Sequence, residues 1–339
     1  MDSTNRALFD ALKALSVPIA DDPCRTCTDP CEDLHGDWPN KFEVDMDSTL
    51  LGTRDPLHRQ VVISTGRADW VREVTEDPGS IAELLLKTRD TLGPKPFPPR
   101  VPKGTPAPLP LSSQTYGVFA QTDSNALSIL NGSHVSISDH PSDETVLLFP
   151  DYAMIVGVRA DTESVHTLYK TVLEPSVSAE VQFSSPTNTG LNVHVLPYSC
   201  VIMLCSHKKR DNRCHIAAPK LEERFSDELE RVGWEVHTRL HDPDHDHAHD
   251  QQSRDERLRA AADSQSALIV KTSHIGGHRY AGNVQIMFPQ GTCVWYARVS
   301  PHEVHAIVQH TILSGRILPQ LLRAGMNVVR KEGKTLADW

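Results

Sequence analysis

A chain of 339 residues, 39% apolar and 23% charged, has the make-up of a folded globular protein of one large domain or two ordinary ones. Its formal charge of −10, with no basic block outside residues 207–213, argues against nucleic-acid binding as the purpose of the whole chain. No run of about 18 apolar residues offers a membrane span.

From the N-terminus, MDSTNRALFDALKAL carries acids early and has no long apolar core. It reads as neither a secretory signal nor an Arg-rich transit peptide, and a cytosolic setting is expected. There, seven cysteines are expected as thiols or metal ligands rather than as a disulfide framework. CRTCTDPC sets Cys24, Cys27 and Cys31 at C-x2-C-x3-C spacing, with His35 four residues on. Three thiols and an imidazole suit a second metal, while Cys24 and Cys27 alone suit a redox dithiol; the third reading is that they do neither. VVISTG at 61–66 is a strand of the buried type. Residues 91–111 are dense in proline and read as an extended loop or linker. Residues 145–173 then predict strand, turn, strand and helix, with Asp161 as the helix N-cap.

The second half begins with the strand VIMLC and the loop CSHKKRDNRC, residues 205–214. PKLEERFSDELERV has helical periodicity with Pro219 near its start. WEVHTRL is a strand. HDPDHDHAHDQQ at 241–252 alternates acids with histidines; a solvated insertion is expected there, a weak zinc or nickel site being the other reading. SRDERLRAAADS is a helix, and ALIVKTS is a strand leading into HIGGH, residues 274–278. NVQIMF and TCVWYARV form a hairpin across PQG, and HEVHAIVQHTIL closes as a helix. The order β-α-β-α-β-β-α is that of a thioredoxin-like fold.

The chain also repeats itself. Residues 284–312 align on 145–173 at an offset of 139, placing Phe288-Pro289 on Phe149-Pro150 and Val304-His305 on Val165-His166. VIMLCS falls on VVISTG at almost the same offset. The expectation is an α/β protein of two thioredoxin-like halves, residues 1–190 and 191–339, each a mixed β-sheet flanked by helices. In the first half Thr65 stands where the second has Cys205, and no histidine pair falls opposite 274 and 278. That half reads as a scaffold or docking domain without cluster ligands.

Both loops of interest follow strands, where α/β folds place their ligands. Cys205, Cys214, His274 and His278 are therefore the candidate ligands. Two thiolates and two imidazoles suit a tetrahedral zinc, or a 2Fe–2S cluster with cysteines on one iron and histidines on the other. C-x8-C is wide for a zinc knuckle, and a binuclear cluster tolerates it better. Gly276 and Gly277 let the backbone turn tightly between the histidines. Cys200 should point to the face opposite Cys205 and belong to the core, as should Cys293. His207 and His215 read as solvent-facing or as neighbours of the ligands. Lys208, Lys209, Arg210 and Arg213 either raise a reduction potential and dock an acidic donor or form a plain solvated loop. No G-x-G-x-x-G opening a helix and no P-loop appears, so no familiar nucleotide site is expected.

CSHKKRDNRC followed by HIGGHRYAGNVQIMFPQGTCVWYARVSP resembles the sucrase/ferredoxin-like family of fungi and plants. CRTCTDPC and LLGTRDPLHRQVVISTGRADW resemble that family's N-terminal part, so the resemblance covers most of the chain. It implies a C-terminal thioredoxin-like ferredoxin domain with a 2Fe–2S cluster on Cys205, Cys214, His274 and His278, the two histidines standing in for the C-x3-C of ordinary relatives. It implies an electron carrier rather than a catalyst on its own, served by an electron-donor reductase and passing electrons to an acceptor in cytosolic redox homeostasis. Neutral imidazoles in place of thiolates would raise the potential, and their free ring nitrogens would couple proton uptake to electron uptake. The closing LADW resembles the acid-then-aromatic ending that the cytosolic iron–sulfur targeting complex reads, which implies that role for Asp338 and Trp339; Ala337 departs from the larger aliphatic residue usual there. Two other functions compete: a thiol oxidoreductase working through Cys24 and Cys27, and a zinc-stabilised interaction module.

Overall fold

Two runs, RQVVIS and CVIMLC, are apolar on both faces and demand cover on both sides, as central strands do. In the computed structural model they are β1 (Arg59–Ser64) and β7 (Cys200–Cys205), each buried throughout. The structure describes residues 3–20, 38–39, 42–95, 97, 117–177, 190–242 and 252–339. Cys24, Cys27, Cys31 and His35 lie outside the described residues, as do most of the proline-rich stretch and most of the acidic histidine-rich loop.

The first half contributes α1 (Ser3–Ala14), β1, α2 (Ile81–Leu92), β2 (Val118–Phe119) and β3 (Leu127–Gly132). β4 (Asp143–Phe149), β5 (Ala153–Arg159), α3 (Thr162–Leu168) and β6 (Asn192–Val195) follow. The second half contributes β7, α4 (Asn212–Arg231), β8 (Glu235–His237), α5 (Arg254–Ala262) and β9 (Ser266–Thr272). It ends with β10 (Val284–Met287), β11 (Cys293–Tyr296), α6 (Pro301–Ala306) and β12 (Leu322–Met326). The expected β-α-β-α-β-β-α order is present. Asp161 caps α3 by accepting from the Ser164 N–H at 2.8 Å. At the matching helix, Glu303 reaches back to the Ser300 N–H at 2.8 Å. No helix among the described residues is long and apolar enough to cross a membrane.

The internal repeat is visible in the pairing. β1 lies parallel to β3 and antiparallel to β4, which continues through β5 to β6. β7 lies parallel to β9 and antiparallel to β10, which continues through β11 to β12. α3 and α6 each run on into a π-helical stretch, Tyr169–Leu173 and Ile307–Leu313.

The two sets of strands join into one mixed sheet of 12 strands flanked by helices. The seam is β3 against β9, with Gly132 opposite Thr272. Its hydrogen bonds are reciprocal. Ser133 N donates to Lys271 O and Ser273 N to Asn131 O, both at 2.8 Å. Lys271 N donates to Ser133 Oγ and Asn131 N to Ser273 Oγ, both at 3.0 Å. The sheet curls on itself: Gln60 on β1 donates to Gln285 on β10 at 2.8 Å, although three strands separate them in the sheet order. Inside the curl Val62, Leu147 and Met154 share one apolar core with Val201, Met203 and Trp295.

Three features depart from the sequence expectation. α4 starts at Asn212, so Pro219 lies inside it rather than near its start. Asp211 is the reason: its side chain accepts from Arg213 N at 2.9 Å and caps a polar stretch with no apolar period. β12 arises from LRAGM, too short and too broken by Arg323 and Gly325 to read as a strand, and it continues the sheet to β2. Finally, α1 packs on the second half. Phe9 and Leu12 share a core with Leu221, Phe225 and Ile317, and Ile317 N donates to Pro18 O at 2.8 Å.

Candidate metal centre

β7 and β9 are parallel neighbours, and Cys205, the last residue of β7, lies beside Thr272, the last residue of β9. Two residues past β9 the chain places His274, whose Nδ1 is 3.7 Å from Cys205 Sγ. Cys214, in the first turn of α4, brings a second sulfur. The donor atoms of Cys205, Cys214 and His274 all lie within 4.8 Å of one another. Both cysteines are buried and His274 is half-buried. His278 is exposed at the rim, outside that 4.8 Å group, with its ring centroid 5.4 Å from that of His274.

The two sulfurs compete for one proton. The thiol of Cys214 donating to Cys205 is the main influence holding Cys205 well below the usual thiol range; burial opposes it and His274 assists it. Cys214 is pushed up by the same contact and by burial. A buried pair in which one sulfur is ionised at the other's expense suits a cation that takes both as thiolates.

The first half holds the ligand loop in place. Ser206 Oγ donates to Ala68 O at 2.9 Å, and Lys209 N donates to Asp69 Oδ1 at 3.1 Å. His207, expected either in solvent or beside the ligands, is buried. It accepts from the His274 N–H on Nδ1 at 3.3 Å, which leaves the proton on Nε2, 3.0 Å from Trp70 O. His207 thus ties a candidate ligand's backbone to the first half. Lys208 and Lys209 are exposed, whereas Arg210 pairs with Glu73 and Arg213 with Asp211.

HIGGH turns on left-handed glycines, φ +80° at Gly276 and +67° at Gly277. Gly277 has a second reason to be glycine: a Cβ there would sit 2.6 Å from the guanidinium carbon of Arg323. That buried side chain, from β12, donates to Gly276 O at 3.0 Å and to Asn283 Oδ1 at 3.1 Å. Asn283 in turn donates to Gly277 O at 3.0 Å. Sequence reading missed both residues; the paired glycines of HIGGH were the only signal that something crowded the loop.

In the sheet register Ser64, not the expected Thr65, stands where Cys205 does, since Ser64 lies opposite Gly132 as Cys205 lies opposite Thr272. Thr65 follows the strand, donates to Gly132 O and accepts from the Trp70 indole. At the seam the offset is 140 rather than 139, Gly132 lying opposite Thr272. At that offset His134 stands opposite His274, with Ser138 opposite His278. His134 is buried, its Nε2 3.3 Å from Thr145 O, and burial lowers its pKa to about 4. The folded state thus keeps it neutral to a lower pH than the unfolded chain does. Stability is therefore expected to be level above pH ~6.5 and to fall by up to about 3 kcal/mol as the pH drops to ~4, while the unfolded chain takes a proton the native state refuses. Urea unfolding at several pH values measures this slope, and it should be shallower in His134→Leu.

Cys200 and Cys293 are core residues whose thiols burial raises above the usual range. Cys200 belongs to a different core from Cys205, as strand alternation requires. At the other end of the chain, Asp338 accepts from Thr335 N at 2.7 Å, and the half-exposed Trp339 ring lies under the Arg259 guanidinium at 5.0 Å.

The family model described as sucrase/ferredoxin-like matches residues 50–324. The chain is 24% identical over 277 residues to actin patches distal protein 1 of Saccharomyces cerevisiae, covering 80% of this chain and 74% of that one. It is 28% identical over 315 residues to altered inheritance of mitochondria protein 32 of Debaryomyces hansenii, covering 86% and 92%. Its counterpart in Meyerozyma guilliermondii is 24% identical over 341 residues, covering 95% and 98%. No solved structure matches the chain.

Proposed function

The chain belongs to the sucrase/ferredoxin-like family, and on that premise we propose that it carries electrons through a 2Fe–2S cluster held by Cys205, Cys214, His274 and His278. The observation that carries this reading is the meeting of two buried thiols and an imidazole, from three separate turns of the chain, within 4.8 Å. Thiolates are the soft donors that iron–sulfur clusters take, and imidazoles replace two of them in Rieske-type centres. Such a cluster would supply one-electron redox chemistry at a potential raised by the neutral imidazoles. The chain's own residues do the rest. The curled sheet keeps water from the two sulfurs. His207 fixes the backbone of His274, and the HIGGH turn sets His278 at the rim, where a partner reaches it. His274 is half-buried and His278 exposed whereas both sulfurs are buried, so the imidazoles are the groups that take up a proton alongside the electron. The setting we propose is the cytosol, with a reductase as donor, a separate acceptor, and a targeting complex that reads Asp338 and Trp339.

An absorption spectrum of protein purified under nitrogen, then EPR after dithionite, tests this. A red-brown protein with a Rieske-like reduced signal is expected. A colourless protein carrying zinc at the same ligands would replace electron transfer with a structural site. His274→Cys should lower the midpoint potential and flatten its pH dependence; an unchanged potential would remove His274 from the ligand set.

A further inference from the structure

β8 ends on His237, and its pairing fixes where that residue stands: the strand lies parallel to β9, with His237 opposite Leu268. His241 follows four residues on and opens the acidic histidine-rich run. An extended chain would carry it about 13 Å away. Instead the chain turns back, and the two imidazole rings lie 4.9 Å apart between centroids, inclined at 74°.

The turn is held from inside. Tyr198 is 1% exposed; its hydroxyl accepts from the His241 N–H at 2.9 Å and donates to Arg239 O at 3.4 Å. Its ring packs against that of His237, 5.5 Å between centroids. One buried side chain therefore fixes the backbone of one histidine and the ring of the other. The Glu235 carboxylate lies 3.6 Å from His237 Nε2. A carboxylate there favours the proton on that nitrogen and leaves Nδ1 to bind a metal. His237 is half-buried and His241 exposed, so the pair opens to solvent.

The spacing is that of two ligands to one ion. With a metal about 2.0–2.1 Å from each ring nitrogen, two imidazole centroids stand roughly 4.5 Å apart at a right-angled ligand pair and roughly 5.2 Å apart at a tetrahedral one. The observed 4.9 Å falls between them. We infer that His237 and His241 form a second metal site, on the surface, for a divalent transition ion of the zinc and nickel kind, with water in its remaining positions. Imidazole nitrogen selects such ions over magnesium and calcium, which take oxygen. Leu268 lies four residues before Thr272 on β9, so the site is separate from that of Cys205 and does not depend on what the latter holds. The ion would join the end of β8 to the root of the histidine-rich run.

The test is calorimetric titration of nickel(II) into the untagged full-length chain carrying Cys214→Ala, which disables the other centre, and into the same chain with His237→Ala or His241→Ala added. Each added change is expected to weaken nickel binding about tenfold or more, since loss of a mere supporting partner costs about 10- to 100-fold. An excess of magnesium should not displace the nickel. A further chain with His245, His247 and His249 all changed to Asn separates the pair from the run that follows. Binding that falls in both single variants supports the pair as ligands, whether or not the triple change weakens it too. Binding unchanged in either single variant would overturn the shared site and leave an edge-to-face ring contact. So would a parent chain that takes up no nickel, or nickel that magnesium displaces. Should His237→Ala fail to fold by circular dichroism, His241→Ala decides alone, because its ring is exposed.

Discussion

Residues 191–339 expressed alone are expected to fail as a metal-binding domain, although every candidate ligand lies within them. The fragment would lose Phe9, Leu12, Val17 and Ile19, which complete the core around Leu221 and Phe225. Truncating a single such residue typically costs about 2–5 kcal/mol, against a total stability of about 5–15 kcal/mol. It would also lose β3, so the Lys271 and Ser273 amides would be left without partners. The ligand loops would suffer as well. Ser206 and His207 would lose the Ala68 and Trp70 carbonyls, and Arg323 would lose both oxygens of Thr53. Circular dichroism melting and metal analysis of fragment and full chain would decide the matter. A fragment that melts cooperatively and loads metal as the whole chain does would show that the first half is dispensable.

Cys214→Ala is expected to leave the purified protein with almost no metal while the fold survives. The substitution removes one of two sulfurs from the 4.8 Å group, and neither His274 nor the exposed His278 supplies a replacement thiolate. Loss of a ligand thiolate forfeits most of a binding free energy that runs to about 10–16 kcal/mol at thiolate zinc sites. The apo-fold should tolerate the change, since core substitutions of this size cost about 0.5–3 kcal/mol. Cys200→Ala is the control. It lies on the same strand and is equally buried but faces the other core, so metal content should stay at the wild-type level. Metal analysis of the three proteins, with urea unfolding to confirm the fold, separates ligand from core. Full metal in Cys214→Ala would end its assignment as a ligand.

Much of the centre was legible because strand chemistry is local. VIMLC and ALIVKTS are unmistakable buried strands, and as parallel neighbours they bring their carboxyl-end loops together. Alternation alone separated Cys200 from Cys205. What stayed hidden depends on distant partners. Arg323 sits in a pentapeptide that reads as nothing by itself and becomes a strand only because β11 offers an edge. His207 looked like one more polar residue in a basic loop until the Trp70 carbonyl arrived from 137 positions away. The match of His134 to His274 was masked because the seam runs at an offset of 140 whereas the alignment was made on the hairpins at 139. The stretch that forms α1 was read only against targeting signals and gave no sign of which half it would cover.

The reciprocal seam bears on how the molecule comes apart. Asn131, Ser133, Lys271 and Ser273 each lend a partner to the opposite half, so neither half can open without stripping hydrogen bonds from the other. The shared core inside the curl adds the same constraint through apolar contact. A repeat of two similar units would ordinarily unfold in two steps, the weaker unit first. Here the exchange protection of the seam amides is expected to be tied to both units at once, with the whole sheet opening as a single cooperative foldon.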